Sequence, residues 1–319
     1  MGSLVGHVVP GFGFFIIGLW HLFNHIKLHI LNPNTYNGPP WFPAPNFKYL
    51  ELLLIMAGTT ASVAMELFIG PARHQPLDPD GTIPSNHLHN FEHSSISMTF
   101  FTYAAFAIIL HRSRVRIHQS LTQLLAAVAF AQQFLLFHFH SADHMGPEGQ
   151  YHLMLQLIVF VSLSTSIIGI GFPSSFLVNF VRSVSILSIG LWLMVMGIMV
   201  WTPAFIAKGC FLNYEAGHQV VRCSAHEAQH RANALVNVLF SWFFIAVAVF
   251  AVSLYMVLVK VYGGEMKKVV YFSLGNEVDE EESNDDMESQ KGKSTTHGSN
   301  VTSFIHAEKK VLSQMNMER

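Results

Sequence analysis

Seven stretches of this chain are long and apolar enough to cross a lipid bilayer, and that constrains it more than any other feature. They run Leu4–Ile30, Tyr49–Ile69, His89–Leu110, Gln119–His140, Tyr151–Gly171, Phe176–Trp201 and His226–Val261. About 20 mostly apolar residues suffice for a helical crossing. The third stretch is the weakest, because it opens on His89-Asn-Phe-Glu-His93. The first reads as a span rather than a cleaved leader, being too long and lacking a basic start. The expected fold class is therefore all-α, a seven-transmembrane helix bundle, and the partner it implies is the lipid bilayer.

Charge divides the chain into two. Of 20 acidic residues, only nine precede Gly264 and 11 follow it. Residues 1–262 read as the membrane domain and 263–319 as a polar, disordered tail without the apolar content for a core. The net charge of −2 leaves no basic face for nucleic acid. The link from His111 to His118 carries Arg112, Arg114 and Arg116, which places it in the cytosol by the positive-inside rule. Counting spans outward puts the N-terminus on the lumenal or extracellular side and the tail in the cytosol. Cys210 and Cys223, the two cysteines, then share a lumenal loop, where they form a disulfide or stay as two thiols.

Histidine is the unusual entry, with 17 of the 19 in the membrane domain. Imidazole among lipid-spanning segments is costly unless paired, wet or bound. Many of these histidines repeat at helical spacing. His226, His230, Asn233 and Asn237 share one face of the seventh span; Glu148, His152 and Gln156 share one of the fifth; His89, His93 and Ser97 one of the third. Thr59, Ser62 and Glu66 do the same in the second. Such stripes are expected to point into the bundle. Five helices thereby bring His or acid to the lumenal side, with His7 opening the first span there.

Converging imidazoles and carboxylates are how helical bundles build metal sites. The candidate ligands are Glu66, His93, His138, His140, His152 and His230, for zinc or another transition metal such as iron or manganese. His7, Glu92, Asp143, Glu148 and His226 are the candidates for the surrounding shell. The alternative is a hydrogen-bonded network that only positions helices. His226-Glu-Ala-Gln-His230 also matches the H-E-x-x-H metalloprotease pattern, without a third ligand following on that helix. At the opposite side, His21, His25 and His29 read as interfacial residues beside Trp20 and Lys27, with Glu51 nearby. Residues 32–46 read as a cytosolic link, and Trp41 and Trp201 as interface anchors.

Gly6-His7-x-x-Pro10-Gly11 followed by Phe14-Phe-Ile-Ile-Gly-Leu-Trp20 resembles the start of the transmembrane protein 45 family, whose members are a domain of unknown function. Glu66-Leu-Phe68, Glu92-His93, His138-Phe-His140, His152 and the His230-to-Trp242 spacing fit that resemblance, which covers about residues 1–262. It implies a multi-pass protein of the endomembrane system or plasma membrane without an established activity. It does not extend to His226, Asp143 or His144.

Three functions fit these residues. The first is a non-enzymatic trafficking or response factor whose lumenal His/Glu cluster binds a metal. The second is a metal-dependent hydrolase of a membrane lipid, with a metal-bound water as nucleophile. The third is an ion- or proton-coupled transporter using histidines as a relay. Crowding of the strong polar groups at one end argues against the third. Self-association and other membrane-protein partners are compatible with all three.

Overall fold

The computed structural model describes residues 4–70, 76–143, 146–215 and 218–288, with 86, 140–143, 218 and 265–288 in backbone only. Its helices are α1 (Leu4–Leu31), α2 (Leu50–Ala64, continued by a π turn over Met65–Ile69), α3 (Leu88–Arg112), α4 (His118–Asp143), α5 (Pro147–Gly171), α6 (Phe176–Trp201) and α7 (His226–Glu288). Each contains a stretch long and apolar enough to cross a membrane, giving seven spans, the last within His226–Gly264. The chain is an all-α bundle of membrane-spanning helices. Contacts divide it into two units at Gly264. The backbone of α7 stays helical to Glu288, and the remainder of the expected disordered tail lies outside the described residues.

From α2 to α6 each helix packs on the next, and α1 closes the ring against α6. The α1–α6 seam is the tightest because glycines remove its side chains. A Cβ on Gly18 would sit 2.3 Å from the Leu187 amide nitrogen, and one on Gly190 2.2 Å from that of Phe15. Close backbone approach through small residues is how helices gain packing in lipid, where burial away from water drives little. Trp192 of α6 is fully buried and donates its Nε1–H to the Tyr151 carbonyl at 3.0 Å. Phe240 of α7 meets the Trp192 ring edge-on at 4.7 Å.

That contact corrects one expectation. The buried face of α7 is Ala232, Val236, Phe240, Val247, Ala251 and Leu258, whereas His226, His230 and Asn237 are exposed. The apolar face wins because it fills the α1–α6 seam, where Leu258 and Ala251 join Leu22, Ile26 and Leu187.

Two ends of the bundle differ in their connections. One carries residues 32–49, the 113–117 turn with its arginines, and the 172–175 turn; it is called here the arginine end. The other carries an antiparallel hairpin of β1 (Cys210–Glu215) and β2 (His218–Cys223) between α6 and α7. Cys210 pairs with Cys223 in the hairpin register, and a disulfide joins them. Glu215 accepts from Arg222 Nε at 2.9 Å across the hairpin, which holds the Arg222 guanidinium more firmly charged. This is the hairpin end.

Candidate functional site

The hairpin end was expected to gather a metal site. Glu66 is buried in the π turn of α2, accepts from Asn90 Nδ2 at 2.7 Å and faces His93 Nδ1 at 3.3 Å. One turn deeper, Ser62 and Ser97 share a hydrogen bond of 2.9 Å. The α2 and α3 stripes do therefore face each other. His152 and Glu148 are also buried, but His152 Nδ1 bonds its own helix at the Glu148 carbonyl, 3.0 Å away. His7 stacks on Trp201 at 4.3 Å and meets His152 edge-on at 5.8 Å. Trp201 is thus a buried packing partner, not an interface anchor.

His138 is exposed beside Phe139, and Glu92 is half-buried on α3. His226, Glu227 and His230 of the H-E-x-x-H match are all exposed. The side chains of His140 and Asp143, and all of His144, lie outside the described residues. Among the described residues no three of His, Cys, Asp and Glu come together closely enough to hold a metal ion. Among the described residues, Glu66 and His93 meet in the α2–α3 pair, His152 lies beside His7, and His138 and His230 are exposed.

The arginine end holds what spacing alone did not assemble. His21 and His25 of α1 are buried, not interfacial. His21 Nε2 lies 2.7 Å from Glu51 Oε1 at the start of α2. The second Glu51 oxygen accepts the Phe42 backbone N–H at 2.9 Å. His25 Nδ1 bonds the Tyr36 hydroxyl at 2.9 Å, and its Nε2 lies 3.4 Å from Arg182 of α6. Arg182 also donates to the Pro39 carbonyl at 3.4 Å. Tyr103 of α3 donates to the Pro40 carbonyl at 3.1 Å.

Residues 32–49 are therefore not a passive link. Tyr36, Gly38, Pro40, Trp41 and Phe42 are buried, and the segment folds back into the mouth of the bundle. Gly38 donates to the Pro173 carbonyl at 2.9 Å, and a Cβ there would lie 2.2 Å from Asn179 Nδ2. Trp41 is 7% exposed, packed against Tyr49 and His111 rather than anchoring at the interface. His29 stacks on Phe176 at 4.0 Å.

Protonation states follow from who must donate to whom. Arginine has no acceptor. Its contact with His25 Nε2 makes that nitrogen the acceptor, so the His25 proton sits on Nδ1 and points at Tyr36. Burial pushes the Tyr36 hydroxyl above its ordinary range, so it stays a neutral phenol. His21 donates Nε2–H to the Glu51 carboxylate, leaving Nδ1 with its lone pair. That Nδ1 is buried and has no hydrogen-bond partner. Glu51 and Arg182 are the network's residues of opposite formal charge, both buried.

Arg182 was the missed residue. It is the one charged side chain inside the sixth span, a placement that marks a functional candidate on its own. It lies six residues, or about 9 Å, from the helix start.

A model of a family of unknown function (DUF716) matches residues 119–256, which takes in α4 to α6 and most of the apolar part of α7. The match is under half of the chain and fits the resemblance to the transmembrane protein 45 family. Together with the seven apolar helices, it fits a multi-pass membrane protein without an established activity.

Proposed function

We propose that this chain is a non-enzymatic response factor of the membrane, in which the buried Glu51–His21–His25–Arg182 network senses protons and holds residues 32–49 in the bundle mouth. The observation that carries this reading is the unpartnered, buried Nδ1 of His21 beside a carboxylate that also grips the Phe42 amide. One proton taken up there adds a positive charge in a place with little water. Charge is expensive in such surroundings, so the grip on residues 32–49 changes with it. By the arginine count this end faces the cytosol.

Trp41 emission tests the reading, because its ring rests on that segment. On acidification, wild type is expected to show one transition that His21→Gln removes. A transition surviving His21→Gln would belong to His111, whose ring centroid is 5.5 Å from that of Trp41, and would sink the proposal.

A second reading, proton passage across the membrane, is favoured by one observation. Gln156, Ser162 and Ser166 are buried polar residues of α5, with Ser185 bonded to Ser162 and Gln123 to the Ser166 carbonyl. Gln133 Oε1 and Ser166 Oγ in this region have no partner. Proteoliposomes carrying an internal pH dye separate the two readings: a sensor leaves an imposed pH gradient intact, and a path dissipates it.

A further inference from the structure

Beside the bundle mouth, but separate from the buried network, the arginine end carries an open cavity of about 510 Å³. Its walls include Lys48, Arg112, Arg114 and Arg116, with His111 and His118 between them, and no acidic residue. None of the four cations makes an ion pair among the described residues. One wall is fixed: the Tyr49 hydroxyl bonds His111 Nδ1 at 2.9 Å, and the Arg112 guanidinium sits 5.8 Å over the Tyr49 ring. The turn itself is held in an uncommon conformation, since Arg114 is the one non-glycine residue with positive φ among those described, at 52°. Side chains other than glycine adopt that region at a cost, and functional sites are where such costs collect.

Arginines that only set topology act by number and need no shared cavity. Here four cations surround one space at the ends of α3 and α4, next to the start of α2. That is the depth of lipid headgroups rather than acyl chains. We propose that this cavity binds a phosphate ester bearing more than one negative charge, as on a phosphorylated inositol headgroup. Guanidinium forks match phosphate oxygens two at a time, and basic pockets beside membrane helices suit such headgroups. A single carboxylate would leave most of the cations uncompensated. The inference does not depend on proton uptake by the buried network.

The test uses the full chain in nanodiscs of phosphatidylcholine with either a phosphatidylinositol bisphosphate or phosphatidylserine, at equal total lipid charge. Bound lipid is counted by native mass spectrometry. Wild type is expected to retain one phosphoinositide and not to retain phosphatidylserine. Arg116→Gln and Arg114→Gly should each weaken retention roughly fivefold. Arg114→Gly suits the backbone at that position, so its thermal midpoint should hold or rise while binding falls. Soluble inositol trisphosphate that displaces the lipid at similar concentration assigns the site to a free phosphate ester; failure to displace assigns it to the membrane lipid. Equal retention of phosphatidylserine, or no loss in either variant, would reduce the cavity to diffuse surface charge and overturn the proposal.

Discussion

The two ends of the bundle contain the same kinds of side chain and treat them oppositely. At the hairpin end, histidines recur at regular helical spacing, yet among the described residues no three of His, Cys, Asp and Glu gather as a metal site, and His138, His226 and His230 are exposed. At the arginine end, His21, His25, Tyr36, Glu51, Tyr103 and Arg182 come from three helices, a helix start and a non-helical segment, and form one buried network. Spacing identifies residues that share a face. It does not say which face another element will cover, and that decides where polar groups are sequestered.

The largest expected effect comes from breaking the charge balance of the buried network. Arg182→Met leaves Glu51 buried without its counter-charge, which should cost about 3–5 kcal/mol. Thermal unfolding in detergent measures it. Removing both charges together, Arg182→Met with Glu51→Gln, should recover part of that loss. A double variant as damaged as the sum of the singles would mean that the two charges are not coupled.

At the hairpin end, the largest effect should come from the disulfide. Cys210→Ser with Cys223→Ser opens a loop of sequence separation 13. Cross-links of that size contribute about 3 kcal/mol. The loss should be local to the hairpin, read as faster hydrogen exchange in residues 210–223 with the arginine end unchanged.

A smaller loss is expected from Glu66→Gln, which weakens the contact to His93 while keeping an acceptor for Asn90. About 1–2 kcal/mol is the scale for a hydrogen bond to a charged group. The smallest effect should come from His226→Ala with His230→Ala, within about 0.5 kcal/mol because both are exposed. Elemental analysis of purified protein sharpens the comparison further. A stoichiometric transition metal lost in His93→Ala would return the hairpin end to the centre of function.

The spans and their count were legible because lipid leaves the backbone no alternative to helices. The α2–α3 pairing of Glu66 with His93 was also within reach of helical spacing. The direction of α7 was not, since its polar stripe lost to an apolar face that fills the Gly18–Gly190 seam. Nor was the role of residues 32–49. Proline and asparagine mark that segment as non-helical, but only the glycine at 38, with no room for a Cβ, lets it descend against Asn179. Arg182 carried a signal that was there to be read, a lone charge well inside a span.

Hydrogen exchange along residues 32–49 tests the account of the buried network most directly. The Phe42 amide should be protected at neutral pH and lose protection in acid in wild type, after correction for intrinsic rates. In His21→Gln its protection should not depend on pH over that range. Equal protection of the wild-type segment at both pH values would contradict a proton-responsive network.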